Sequence, residues 1–470
     1  MAERSVAVSS PPSAASGRLS DQLSRLRISP VALWLGGITL IGLAMRLFWV
    51  LYVDTIPLGG DPHWYYIVAA NVAKGYGYVS NSGSAFLSEQ VGSGKPTAFW
   101  PPAYSFILGA CYKMFGINAP SNGAITFAKV LNAVLSAATI PFVYALGGRI
   151  FDKRVGLLAA GLFAVFPNPI AWTPVLFPEP LFVLLFVAAL WVLVAFPLGS
   201  RRDWLPLVVF GALVAVATLT RGQGGVLVPV AVIYWLGRDG WRATLRPTAI
   251  SLVAAVALIA PWTVRNYVEM DAFIPISTNS GAALRVGHNA ESTGTTRWTD
   301  DDVGGFRMEE SAFRPDWEVR GYREYTRLAI DYAFTHPANE VRLTGLKLYH
   351  LYSSDAVVIP WLTTLDSTPF EPASAENVVR WVLDVSYYLM LFAALAYVPL
   401  WLRRSPERVL LVSVFVIWTL FHIVFLAEPR YHVPLYPIFA ISVAAGFFEA
   451  LKLVGRSSPD VDVSNDTAQA

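Results

Sequence analysis

Apolar runs of about twenty residues recur through most of the chain, and each is long enough to cross a hydrocarbon layer of roughly 30 Å as a helix. Inside a bilayer the backbone finds no water to bind, so such runs must close their hydrogen bonds within helices. Composition agrees: of 470 residues, 55% are hydrophobic and 14% charged, against roughly 25% charged in a soluble globular chain. An ordinary cytosolic enzyme is excluded. The expected fold is an all-α polytopic membrane protein.

Ten spans are expected, at 31–53, 124–147, 155–173, 177–197, 204–220, 224–237, 246–264, 379–401, 409–427 and 432–453. Lys and Arg near span ends favour the cytoplasm. With this count, Arg149, Lys153 and Arg154, then Arg201 and Arg202, then Arg238, Arg242 and Arg246, then Arg403, Arg404 and Arg408, then Lys452 and Arg456 all fall on the side of the N-terminal tail. The apolar segment 101–116 is at the short limit of a span, and counting it as a crossing would invert every later loop. It reads as an interfacial or re-entrant helix on the outer side.

The organisation that follows is a disordered cytoplasmic tail over 1–30, rich in Ser, Ala and Pro, and a transmembrane catalytic module over 31–264 that includes the outer loop 54–123. An extracytoplasmic lobe at 265–378, C-terminal transmembrane helices at 379–454 and a second tail at 455–470 complete it. Within the lobe, Tyr322, Tyr325, Leu328 and Tyr332 recur at helical spacing between Pro315 and Pro337, and Val341 to Tyr352 is a second amphipathic stretch. Asp300, Asp301 and Asp302 read as a solvated charge run rather than a metal cluster. Net charge is +2, which sets up no field for nucleic acid. The single cysteine, Cys111, excludes an internal disulfide.

Two acids stand out. Asp61, in GGDPHWYY, has a bland role as helix cap with Pro62 at the first helical position. It has a functional one as a general base held just above the bilayer, flanked by His63, Trp64, Tyr65 and Tyr66. Glu179, in FPEPLF, suits the dipole of a helix start, but an ionisable group at the edge of a span is costly unless it has a partner or lines a cavity. Four basic or titratable residues, Arg221, Arg265, Arg430 and His432, return to the same outer surface against the charge bias. Snorkelling explains any one of them. Together they suit an anionic substrate that lives in the membrane, such as a lipid phosphate clamped by guanidinium groups. No Walker A, GxGxxG, HExxH or GxSxG pattern is present.

The ordered motifs GDPHWYY, AKGYGY, KPTAFWPPAY, FPEPLF, LTRGQGG, PWTVRNY with FIPISTNSGAALRVGHN, and PRYHVPLYP span nearly the whole chain after residue 30. In this order the series resembles the polytopic GT-C glycosyltransferases that use lipid-phosphate-linked sugars, the group similar to dolichyl-phosphate-mannose protein mannosyltransferases and aminoarabinose transferases. The resemblance implies a GT-C-like bundle of about 10–11 transmembrane helices with outer-face interfacial helices. It also implies a catalytic carboxylate at Asp61 and a second acid at Glu179. Lys95 is similar to a lysine near the lipid phosphate in some members. A single Asp stands in GGDPHW where some relatives carry two adjacent acids, and WPP stands where many have HPP. No cofactor is assigned, and a divalent metal is left open.

The expected activity is inverting transfer of a monosaccharide from a polyprenyl-phosphate donor to a protein, glycan or glycolipid hydroxyl on the extracytoplasmic face of the cell membrane. Asp61 acts as base, and Arg265, Arg430 and His432, with Arg221 or Lys95 assisting, stabilise the leaving lipid phosphate. Tyr65 and Asn266 are counted with the substrate-binding residues. The rival from another class is a lipid-linked-sugar flippase or secondary transporter. No internal repeat is evident and the acids lie at one surface, which favours the enzyme.

Overall fold

The computed structural model describes residues 29–53, 60–80, 91–92, 94–196, 203–296, 315–363, 369–401 and 405–456. The tails expected at 1–30 and 455–470 fall almost wholly outside the described residues, as do Asp300 to Asp302, Arg201, Arg202, Arg403 and Arg404. Helices dominate. Among the described residues the only strands are Val79–Ser80 and Lys95–Pro96, an antiparallel pair with Val79 opposite Pro96 and Ser80 opposite Lys95.

Six helices are long and apolar enough to cross a membrane: Pro30–Tyr52, Asn122–Ile150, Gly222–Met270, Ser374–Val398, Pro406–Val424 and Pro429–Leu453. Glu179–Ala195 and Trp204–Thr220 are shorter apolar helices. The chain is an integral membrane protein. Side-chain caps mark several helix starts: Ser29 accepts from Ala32 N, Ser121 from Ala124 N, Asp152 from Arg154 N and Val155 N, and Ser405 from Arg408 N. The first helix buries only Gly42, Arg46 and Val50. Leu40, Phe48 and Leu51 are left exposed at its surface, as a lipid-facing helix requires. Glu179–Ala195 is buried on nearly every face, which its unbroken apolar sequence foretells.

Three expected spans come out differently. The stretch 155–173 is helical only from Lys153 to Val165. Phe166 precedes Pro167 and is extended at φ −62°, ψ 121°, because the proline ring disfavours the helical region for its predecessor; a short helix, Pro167–Ala171, follows. The spans expected at 224–237 and 246–264 are the two arms of Leu227–Met270. Forty-four residues of straight helix would rise about 66 Å, twice the hydrocarbon thickness. Gly240, at φ +78° and ψ 171°, breaks the run in a region open to glycine. Gly222 and Gln223, before the first arm, and Pro275 and Ile276, after the second, line one cavity, so the arms run antiparallel.

The segment expected at 101–116 is the helix Ala103–Met114, whose 12 residues rise about 18 Å, too short to cross. It packs against Gly60–Lys74, the helix that carries Asp61. The amphipathic pair expected in the lobe is present as Pro315–Thr335 and Pro337–Tyr352. Arg46, fully buried, was not singled out by sequence. Its guanidinium donates to Ser136 Oγ at 2.8 Å and to the Gly42 and Ala164 carbonyls at 2.9 Å each, tying three helices together without an acid.

Candidate active site

Asp61 lies in the first turn of Gly60–Lys74, beside Gly60 at φ +68°. Its carboxylate faces across the molecule: Oδ2 accepts from Arg430 Nη1 at 3.3 Å, a contact between residues 369 positions apart. Arg430 belongs to the 3-10 segment Pro429–Leu435, and its Nε is 2.7 Å from Glu428 Oε2. Thr296 Oγ1 donates to Glu428 Oε1 in turn. The Arg430 guanidinium lies over the rings of Phe177 at 5.0 Å and Tyr431 at 5.4 Å.

A second ion pair joins Arg221 to Glu179, the acid almost wholly buried. Arg221 follows Trp204–Thr220 in extended backbone at φ −148°, ψ 129°, which turns the chain into the glycine-rich segment Gly222–Val226. Its guanidinium also sits 5.3 Å over the Tyr431 ring. Tyr431 therefore packs against two guanidinium groups, one paired with Glu179 and the other with Asp61 and Glu428.

These residues border a cavity of about 270 Å³ lined by Asp61, Tyr65, Trp100, Arg221, Gln223, Tyr322, His422, Arg430 and Tyr431, with Phe177, Phe421 and Phe425. Burial pushes the Asp61 carboxyl above its usual value; Arg430 pulls it back, while Glu428 and Glu179 push the same way as burial. Burial likewise raises the Tyr65 phenol, and the nearby Asp61 charge adds to it. The site thus offers a carboxylate with raised proton affinity, two cations and an aromatic wall. That set can take a proton from a hydroxyl while holding an anion.

Of the residues chosen from sequence, Asp61, Tyr65, Arg221 and Arg430 line the cavity and Glu179 stands behind Arg221. His432, expected at the leaving phosphate, does not. It is fully buried in another network, with Nδ1 2.7 Å from the Leu351 carbonyl, Nε2 3.2 Å from Asp355 Oδ1, and its ring stacked 4.2 Å from Tyr387. Tyr436 and Asn168 complete that network by donating to Asp355. Arg265 also lies off the cavity. It donates to the Thr97 and Tyr78 carbonyls at 2.7 Å each, fastening the end of the long helix to the strand pair. Asn266 is buried and donates to the Ile274 carbonyl at 2.9 Å, and Lys95 is an exposed strand residue opposite Ser80.

Sequence reasoning missed Glu428, Tyr431, Gln223, Trp100 and His422. The last had a signal: an ionisable side chain inside an apolar helix. It also missed Glu318, whose buried carboxylate accepts from Thr97 Oγ1 at 2.8 Å, Ala98 N at 2.9 Å and Thr278 Oγ1 at 2.7 Å, bracing the loops beside the cavity. Among the described residues no group of three His, Cys, Asp or Glu is placed to share a metal ion, and Glu179 and Glu428 are each engaged by a guanidinium.

The fold is that of the GT-C membrane glycosyltransferases. A family model described as dolichyl-phosphate-mannose-protein mannosyltransferase matches residues 100–264. No curated protein sequence matches the chain. The oligosaccharyltransferase of Archaeoglobus fulgidus, solved with zinc and sulfate, superposes with a TM-score of 0.54 at 13% identity, over 90% of this chain and 50% of that one. The same organism's AglB in complex with an inhibitory peptide and a dolichol-phosphate superposes with a TM-score of 0.54 at 15% identity, over 93% and 53%. The chain therefore spans about half the length of these structures. ArnT from Cupriavidus metallidurans bound to undecaprenyl phosphate gives a TM-score of 0.41 at 16% identity, over 95% and 82%.

Proposed function

We propose that this protein transfers a monosaccharide from a polyprenyl-phosphate donor to an acceptor hydroxyl on the extracytoplasmic face of the cell membrane. The observation that carries the proposal is the convergence of Asp61, Arg221 and Arg430, from three distant segments, on one cavity. Asp61 takes the proton of the acceptor hydroxyl as its oxygen attacks the anomeric carbon. The bond from that carbon to the phosphate oxygen breaks, and the electron pair leaves with the lipid phosphate. Attack opposite the leaving group inverts the anomeric configuration.

Arg221 and Arg430 meet the phosphate. Both are already partly neutralised by Glu179 and Glu428, which fixes their orientation and leaves further donors for an incoming anion. The phosphoester carries its own leaving group, so no separate energy source is needed. Arg265, Lys95, Asn266 and His432 have structural places here, and the lobe at 265–378 supplies the acceptor side through Tyr322 and the segment around Ser277 and Asn279.

The test is transfer from radiolabelled polyprenyl-phosphate sugar in membranes bearing Asp61→Asn. Loss of the base is expected to lower the rate by about 10² to 10⁴ fold. Activity within a few-fold of the parent removes Asp61 from the mechanism.

A further inference from the structure

His422, on Pro406–Val424, is 1% exposed, and its Nδ1 lies 2.9 Å from the Trp418 carbonyl. A carbonyl only accepts, so Nδ1 carries the proton and Nε2 is a bare lone pair. Among the described residues that lone pair has no partner, and neither does the indole N–H of Trp100. Both residues line the cavity. Buried polar atoms are rarely left unpaired, because the loss of water is not repaid. Two such atoms around one cavity, of opposite hydrogen-bonding sense, point to a ligand that both donates and accepts.

A phosphodiester cannot be the group at His422, since its oxygens only accept and would face the lone pair of Nε2. Sugar hydroxyls satisfy both atoms, one accepting from Trp100 Nε1–H and one donating to His422 Nε2. The surroundings agree. The His422 ring centroid is 5.1 Å from that of Tyr431, which has Arg221 at 5.3 Å and Arg430 at 5.4 Å over its ring. The neutral acceptor thus adjoins the cationic pair, as the sugar adjoins the phosphate in one donor molecule.

We propose that His422 and Trp100 form the hydroxyl-recognising subsite for the transferred sugar, with His422 Nε2 accepting a hydrogen bond from a sugar hydroxyl. This rests on reading the cavity as a lipid-phosphate-sugar transferase site.

The experiment measures binding of polyprenyl phosphate and of polyprenyl-phosphate mannose, glucose, galactose and arabinose to the purified full chain and to His422→Phe, His422→Gln and Trp100→Phe. For the sugar the parent prefers, His422→Phe and Trp100→Phe are each expected to weaken binding about tenfold, with polyprenyl phosphate bound as before. His422→Gln, which keeps an acceptor oxygen, recovers part of the loss. Equal loss for both kinds of lipid, or no loss for either, overturns the proposal. So does a parent that binds sugar-bearing and sugar-free lipids alike. A parent that binds no polyprenyl phosphate removes the underlying transferase reading instead. Thermal unfolding of each variant separates loss of the fold from loss of the subsite, and Trp100→Phe carries the test if His422→Phe does not fold.

Discussion

At the scale of single residues, Asp61 shows how far a local pattern reaches. GGDPHW predicts the start of a helix with an acid in its first turn, and that is what forms. The same pattern offers the carboxylate a capping role, whereas its side chain faces Arg430. The choice was invisible from spacing, because the partner lies 369 positions away. Its environment has a measurable consequence. A base must be ionised, and burial raises the Asp61 carboxyl, so the acid limb of the kcat/KM profile is expected above the usual carboxylate value of about 4. Glu428 pushes Asp61 up and Arg430 pulls it down. Glu428→Gln is therefore expected to move the limb to lower pH and Arg430→Gln to higher pH. Limbs that stay where they are in both variants would mean that another group titrates.

At the scale of elements, hydrophobic runs gave the helices, and prolines and glycines decided where they break. FPNP ended one helix at Val165 through the restriction a proline puts on the residue before it. That signal was readable in the sequence and outweighs the apolar run that continues past it. The reversal inside Leu227–Met270 is anchored at Gly240, where a Cβ would meet nothing within 4 Å yet would sit at φ +78°. Gly240→Ala is thus expected to cost about 1–2 kcal/mol from backbone strain alone. Gly237, helical, equally open and not at positive φ, is the control: Gly237→Ala is expected to be neutral or slightly stabilising, since alanine is the better helix former. Thermal unfolding in detergent measures both. Equal midpoints for the two variants would show that the turn does not depend on the left-handed geometry at Gly240. His432 makes the opposite point. Its depth in PRYHVPLYP suggested the phosphate, but Asp355 and Tyr436 hold it in the core, and no local pattern reveals a partner 77 positions upstream.

At the scale of the whole molecule, the charge bias of short loops and the position of the cavity support each other. Arg408, at the start of Pro406–Val424, stacks 5.0 Å over Phe151, which ends Asn122–Ile150 beside Lys153 and Arg154. Arg246 pairs with Asp203 at 2.8 Å. The basic loops grouped by counting spans thus meet neighbours from other loops of the same group. Asp61, Arg221 and Arg430 gather in a different place, around the cavity. A cytoplasmic side for the first set would put the cavity outside, the side on which the proposed transfer takes place. Cysteine labelling tests this, because Cys111 is the chain's one cysteine and Cys111→Ser gives a clean background. Lys95→Cys and Arg154→Cys each replace an exposed residue, one in the strand pair, within the expected outer loop, and one among the basic loops. A membrane-impermeant maleimide is expected to label Lys95→Cys in intact cells and Arg154→Cys only after permeabilisation. The reverse pattern would place Asp61 in the cytoplasm and end the extracytoplasmic mechanism, while leaving the helix bundle and its buried ion pairs as they are.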